Sequence, residues 1–280
     1  MKFTKRYFKK LMNIIKKPEM KVLPGNIAFF LVLSIFPIIT LCGFLATFFN
    51  VSIDSVVNLM NDVLPREVNN ILIPYITGTG MDLHIGFSIL IGYIVASNGA
   101  HSIIISCNTL YGLEHSSYLK RRIKALFITI LLVMLFVFSL IVLAFGNSIL
   151  EFILSINFFG HLGNKIYYLF LLVKWPTAII VTFVMIKLIF TLAPDSIIKS
   201  KVTNKGAFFT SVAWLISTFI YSYYVQHFSH YDIFYGSLSN IIVMMMWIYI
   251  LSCSLVIGIA INVQHYRIYQ NNIDNSTNNK

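Results

Sequence analysis

An all-α, polytopic bundle of six transmembrane helices is the fold class this sequence predicts, on three observations. The chain of 280 residues is 58% hydrophobic and 11% charged, whereas soluble domains carry about 25% charged residues. Six stretches, roughly 27–49, 86–106, 125–150, 167–190, 207–225 and 241–263, approach the ~20 apolar residues that span a hydrocarbon core. The connections between them alternate between strongly basic and almost free of basic residues.

That alternation sets an orientation. Of the 21 Lys and Arg, eight precede the first span, four are Lys120, Arg121, Arg122 and Lys124, three are Lys199, Lys201 and Lys205, and two are Arg267 and Lys280. Only Arg66 and Lys165 fall in the opposite connections, and Lys174 and Lys187 lie within spans. Basic loops stay in the cytoplasm, so a multi-pass cell-membrane protein with both termini inside is expected. The formal charge of +11 then reflects orientation, and it implies no nucleic-acid partner.

Residues 1–24 form a basic leader. Phe3, Tyr7, Leu11 and Ile14 or Ile15 make an apolar stripe among Lys2, Lys5, Lys9, Lys10, Lys16 and Lys17, as in a helix lying on an anionic leaflet; a plain topology anchor is the alternative. The first apolar run is of spanning length and follows this charged leader, so it is expected to be retained rather than cleaved. Between the first two spans, Ile53, Val56, Val57, Met60 and Leu64, then Pro65 with Val68, Ile71, Leu72 and Tyr75, predict an extracytoplasmic amphipathic helical hairpin over 51–77. Residues 1–265 are read as one integral membrane domain and 266–280 as a short polar cytoplasmic tail.

Polar and helix-loosening residues interrupt the spans at Pro37, at Ser97-Asn98-Gly99, at Lys174-Trp175-Pro176 and at Asn262. Such residues commonly serve packing in membrane helices. The functional alternative makes Lys174, Asn98, Ser97 and Trp175 a substrate-binding group, with Pro37, Gly99 and Pro176 as helix breaks or gates. Lys174 carries most of that reading: seven residues into its span, it lies about 10 Å from the outer end at 1.5 Å per residue, deeper than a lysine readily snorkels. Phe36-Pro37 and Trp175-Pro176 sit near the middles of spans running in opposite directions, the pattern of a three-plus-three inverted repeat. The halves share little else.

Catalytic motifs are missing: no phosphate-binding glycine loop, HExxH, nucleophile elbow or CxxC pair occurs. Neither enzymatic activity nor a cofactor is expected. No Asp or Glu lies within a span, where proton-coupled carriers usually keep one. Cys42, Cys107 and Cys253 form an odd set without paired spacing, so no disulfide framework is implied. His227 and His230, near Asp232, come closest to metal-ligand spacing; a Tyr/His-rich interfacial turn is the plainer reading, and no metal is assigned.

An ordered set of motifs runs through nearly the whole chain. It comprises Ala28-Phe29-Phe30 with Ser34-Ile35-Phe36-Pro37, Ala96 to Tyr111 with Asn108, and Lys174-Trp175-Pro176 with Pro194. Gly206-Ala207, then Tyr235-Gly236-Ser237-Leu238 leading to Trp247, Tyr249, Gly258 and Asn262, complete it. In these the sequence resembles the YihY/BrkB-like six-span bacterial membrane proteins, formerly labelled ribonuclease BN. It departs from them at Ala260-Ile261-Asn262, where the family often carries an acidic residue before the Asn. The resemblance implies an inner-membrane protein linked to envelope integrity and to export of lipid or solute. A nuclease would need a metal cluster or an acid/base pair facing the cytoplasm, which these residues do not suggest. Together the readings predict a translocator, flippase or exporter, of an anionic lipid or amphiphilic solute with membrane lipids as partners; a non-transporting scaffold is the alternative.

Overall fold

Four of the six apolar stretches, 86–106, 167–190, 207–225 and 241–263, lie inside longer helices, and 27–49 and 125–150 are helical as far as the described residues reach. The computed structural model describes residues 11–48, 83–144, 163–228 and 238–278. Its long helices are α1 Glu19–Phe48, α2 Leu83–Tyr111, α3 Tyr118–Ala144, α4 Gly163–Leu192, α5 Ser200–Phe228 and α6 Leu238–Asn278. The all-α expectation holds among the described residues, where no strand occurs. Hydropathy locates hydrocarbon, but a helix satisfies its own backbone and continues into water until something stops it. The 41-residue α6 is thus about 60 Å long, twice the ~30 Å of a hydrocarbon core. The hairpin expected over 51–77, the first ten residues of the leader, and His230 with Asp232 lie outside the described residues.

The stops are local and chemical. Residues 11–15 are helical and break at Lys16-Lys17-Pro18 before α1 begins with Glu19, an acid in a first turn. At the end of α2, Gly112 takes a φ of +71°, and the Leu113 amide closes back on the Asn108 carbonyl at 2.9 Å. That left-handed closure suits glycine, which has no Cβ to strain. Pro194 follows α4, one residue after the Ala193 amide makes the last helical bond to Ile189.

Consecutive helices pack side by side, and α6 returns against α1, so the six close into a ring; α6 also touches α2 across it. Of the neighbouring pairs, α3 and α4 share the least extensive interface among the described residues. Among the side chains described, a core is formed at the end of the bundle that carries the α2–α3 and α4–α5 turns. Ile27, Ile103, Ile104, Ile128, Ile186, Ile189, Phe190, Leu255 and Ile259 are sealed from solvent there, joined by Ile14 of the leader.

The outside of the ring is apolar as well. Along α3, Leu119, Ile123, Phe127, Ile130 and Met134 form one exposed stripe at helical spacing, and Phe29, Ile91, Ile180, Phe219 and Met246 are exposed on the other helices. A water-soluble monomer rarely exposes so much contiguous apolar surface, and burying it in lipid removes the penalty. By length and composition Leu90–Tyr111 and Ile242–Gln270 are long and apolar enough to cross a membrane, and Pro176–Leu192 is a shorter apolar stretch.

Candidate functional site

Two polar assemblies join helices at the end of the bundle bearing the short turns. The first is built on α2. Ser97 is buried and donates to the Ile94 carbonyl at 2.7 Å. Arg122 of α3 donates to that same carbonyl at 2.7 Å and to the Asn98 side-chain oxygen at 2.8 Å. Asn98 and the Ile94 carbonyl therefore hold an arginine that the sequence presented only as an orienting charge. Gly99 makes room on the other side of α2, where an added Cβ would lie 3.1 Å from Leu31 and 3.2 Å from the Ser34 hydroxyl. Ser34 donates to the Ala96 carbonyl at 2.9 Å, tying α1 to α2.

The second assembly centres on Asp195, in the turn after α4. Its carboxylate accepts from Lys124 of α3 at 2.6 Å, from the Asn108 side chain of α2 at 2.7 Å and from the Ser116 amide at 3.0 Å. Its own amide donates to the Asn108 side-chain oxygen at 2.9 Å, and Lys124 also reaches the Pro194 carbonyl at 3.0 Å. His115 Nδ1 stands 3.4 Å from the Asn108 amide nitrogen. One aspartate thus fastens the α2–α3 turn to the α4–α5 turn. Burial pushes its carboxyl upward, but the hydrogen bonds from Lys124, Ser116 and Asn108 outweigh it and hold the value down to about 2. A carboxylate so held is a structural anion and a weak base near neutral pH.

Between α5 and α6 the junction is one of shape. A Cβ on Gly206 would stand 2.1 Å from the Gly258 carbonyl, and one on Gly258 would stand 2.0 Å from the Thr210 hydroxyl. The two backbones meet because both residues lack side chains. Asn262 accepts from the Gly206 amide at 2.8 Å, and Trp214 donates to the Leu251 carbonyl at 2.9 Å. The Nδ2 of Asn262 and the hydroxyls of Ser102 and Ser252 are buried with no partner among the described residues.

Of the other residues singled out by sequence, Pro37, Lys174, Trp175 and Pro176 lie within unbroken helices, Pro37 in α1 and the rest in α4. The side chains of Pro37, Lys174, Trp175 and His227 are outside the described ones, and Pro176 is exposed. In the ring α3 lies between α4, which carries Lys174, and α2, which carries Ser97 and Asn98. Among the described residues no group of three His, Cys, Asp or Glu is placed to hold a metal. Sequence reading missed Arg122, Lys124 and Asp195 as a site. Their available signal was an acid directly after a helix-ending proline, among connections that are otherwise basic.

Comparison with known proteins supplies the relatives. The chain is 27% identical over 243 residues, covering 85% of this chain and 87% of its relative, to the ribonuclease-like protein YfkH of Bacillus subtilis (strain 168). It is 27% identical over 100 residues, 35% of each chain, to the UPF0761 membrane protein IL2447 of Idiomarina loihiensis (strain ATCC BAA-735 / DSM 15497 / L2-TR). No solved structure matches significantly. The family described as Virulence factor BrkB matches residues 14–280. With its apolar helices and its match along almost the entire sequence, the chain is a membrane protein and belongs to the BrkB, or YihY/BrkB, family.

Proposed function

We propose that the protein is a six-span translocator of an anionic lipid or amphiphilic solute, with both termini in the cytoplasm, supporting envelope integrity. The observation that carries this reading is the α3–α4 boundary. Among the described residues its interface is the least extensive in the ring, and the ion pair of Lys124 with Asp195, 2.6 Å long, closes it at the end bearing the short turns. Lipid can enter a helix bundle only by parting two helices. A boundary held by polar contacts that can be exchanged for water parts at lower cost than one held by packed apolar side chains. The unpartnered polar groups of Ser102, Ser252 and Asn262 support the same reading, since a purely structural bundle gains nothing by burying them.

In this mechanism Lys174 and Trp175 on α4 meet the anionic group, Asn98 on α2 acts through the Arg122 it holds and Ser97 through the Ile94 carbonyl, while Pro37, Gly99 and Pro176 supply the bending. The Asp195 assembly must open for the substrate to reach the cytoplasmic leaflet. Purified protein in liposomes should move a fluorescent anionic phospholipid between leaflets. Lys174→Gln should slow that movement about tenfold, the loss of one charge-assisted contact, and Lys174→Arg should keep most of it. Full activity in Lys174→Leu would remove Lys174 from the mechanism. A second reading, a non-transporting scaffold, is favoured by the sealed apolar core around Phe190 and Ile103, and absence of any lipid movement in wild-type liposomes would select it. Catalysis is not proposed: the name ribonuclease-like belongs to YfkH, and in this chain the Asp195 carboxylate is committed to Lys124, Asn108 and the Ser116 amide.

A further inference from the structure

On their lipid-facing side, α2 and α3 leave a half-open groove. Ile94, Asn98 and His101 line it from α2, and Tyr118, Arg122 and Leu126, spaced four apart, line it from α3. Three contacts set these residues level with one another. The Tyr93 hydroxyl donates to the Leu126 carbonyl at 2.6 Å, Arg122 bonds to Ile94 and Asn98, and the Tyr118 ring lies edge-on to His101 with centroids 6.0 Å apart. Toward the middle of the bundle the groove continues into exposed Leu90, Ile91, Phe127 and Ile130. Toward the turn stand Lys120 and Arg121. Arg122 therefore marks the border between a basic rim and an apolar belt.

We infer that this groove binds the phosphate headgroup of an anionic phospholipid from the adjoining leaflet, with Arg122 as its cation and the exposed side chains of α2 and α3 under its acyl chains. The charge argues for it. Both described acceptors of Arg122 are neutral, a carbonyl and an amide; of the acids near this end, Asp195 is engaged by Lys124, and among the described residues neither Glu114 nor Glu19 forms an ion pair with Arg122. An uncompensated cation beside lipid is costly, and a phosphate compensates it. A guanidinium has five N–H donors in a planar fork that suits phosphate, and two are used among the described residues. Asn98 and Ile94 fix the group in place, so little side-chain freedom remains to be lost on binding. Basic pockets between helices at a membrane face are where anionic headgroups lodge. The inference does not rest on transport, because a lipid can be held there whether or not it is moved.

The test is retention of lipid by the full-length protein, purified in detergent and offered equal amounts of phosphatidylglycerol and phosphatidylcholine, with bound lipid counted by native mass spectrometry. Wild type should retain phosphatidylglycerol in about tenfold preference, and Arg122→Gln should lose about that factor for phosphatidylglycerol alone. Lys201→Gln, which removes an exposed charge at the start of α5, should change nothing. Should Arg122→Gln fail to purify folded, Arg122→Lys decides, since it keeps the charge but loses the fork and should retain about threefold less. Undiminished retention in the Arg122 variant that purifies, or an equal loss in Lys201→Gln, would overturn the site. Displacement of the lipid by glycerol phosphate at equal concentration would overturn the role of the acyl-chain surface.

Discussion

The α3–α4 boundary and the α5–α6 boundary lie at the same end of one ring and are held together by opposite means. At the first, Lys124, Asn108 and the Ser116 amide converge on one carboxylate across a thin interface. At the second, Gly206 and Gly258 let two backbones touch, and Asn262 fastens the Gly206 amide. Polar contacts can be traded for water and remade, whereas close packing has no substitute once the helices separate. The first boundary is suited to open, and the second to stay shut. A ring that parts at one place needs both kinds.

The largest effect should come from filling the tight boundary. Gly206→Ala places a methyl 2.1 Å from a backbone carbonyl, so α5 and α6 must separate, at a cost of about 3 kcal/mol by the usual scale of overpacking. Thermal unfolding in detergent should show a drop of many degrees, and an unchanged midpoint would mean that the glycines are not in contact. Asp195→Asn should cost less, about 2 kcal/mol, because Lys124 keeps some access to water while losing its counter-ion. Adding Asn108→Ala to Asp195→Asn should then cost less than the sum of the two single changes; strict additivity would separate the two residues.

Acid should distinguish the boundaries without mutation. A carboxyl whose folded value lies near 2, below its ordinary 3.8, stabilises the fold above pH 3.8, and the contribution is lost as the pH falls from about 4 toward 2. The whole of it is about 2 kcal/mol. Wild type should lose that much more stability than Asp195→Asn across this window, and parallel pH profiles would contradict the ion pair. The smallest effect is reserved for a glycine with open space around it. Gly25, inside α1 with nothing within 4 Å of an added Cβ, should accept alanine with a gain of about 0.5 kcal/mol.

How much of this was legible before the structure differs by element. The middles of the helices could be read from hydropathy because lipid demands apolar side chains. Their ends could not, since α6 runs on through Gln264, Arg267 and Gln270 into a region where polar residues are no obstacle. Ser97 and Asn98 stood out as polar residues in a span, but Arg122, the partner of Asn98, lies 24 residues beyond it, and nothing in spacing along the chain announces a contact between two helices. Asp195 is separated from Asn108 by 87 residues and reads alone as one acid in a basic loop. Asn262 stood out as a polar residue in a span, but Gly206 and Gly258 were visible only through the family resemblance, because a glycine in a span carries no mark of which backbone it lets in.

The central claim is that lipid passes where the Asp195 assembly opens, and a reversible lock tests it most directly. Cysteines introduced as Asn108→Cys and Asp195→Cys, with Cys42, Cys107 and Cys253 replaced, would join the α2 and α4–α5 sides by a disulfide. In liposomes containing fluorescent phosphatidylglycerol, the reduced protein should move lipid between leaflets, and the oxidised protein should stop until reductant is added. Equal rates in the oxidised and reduced states would contradict the account.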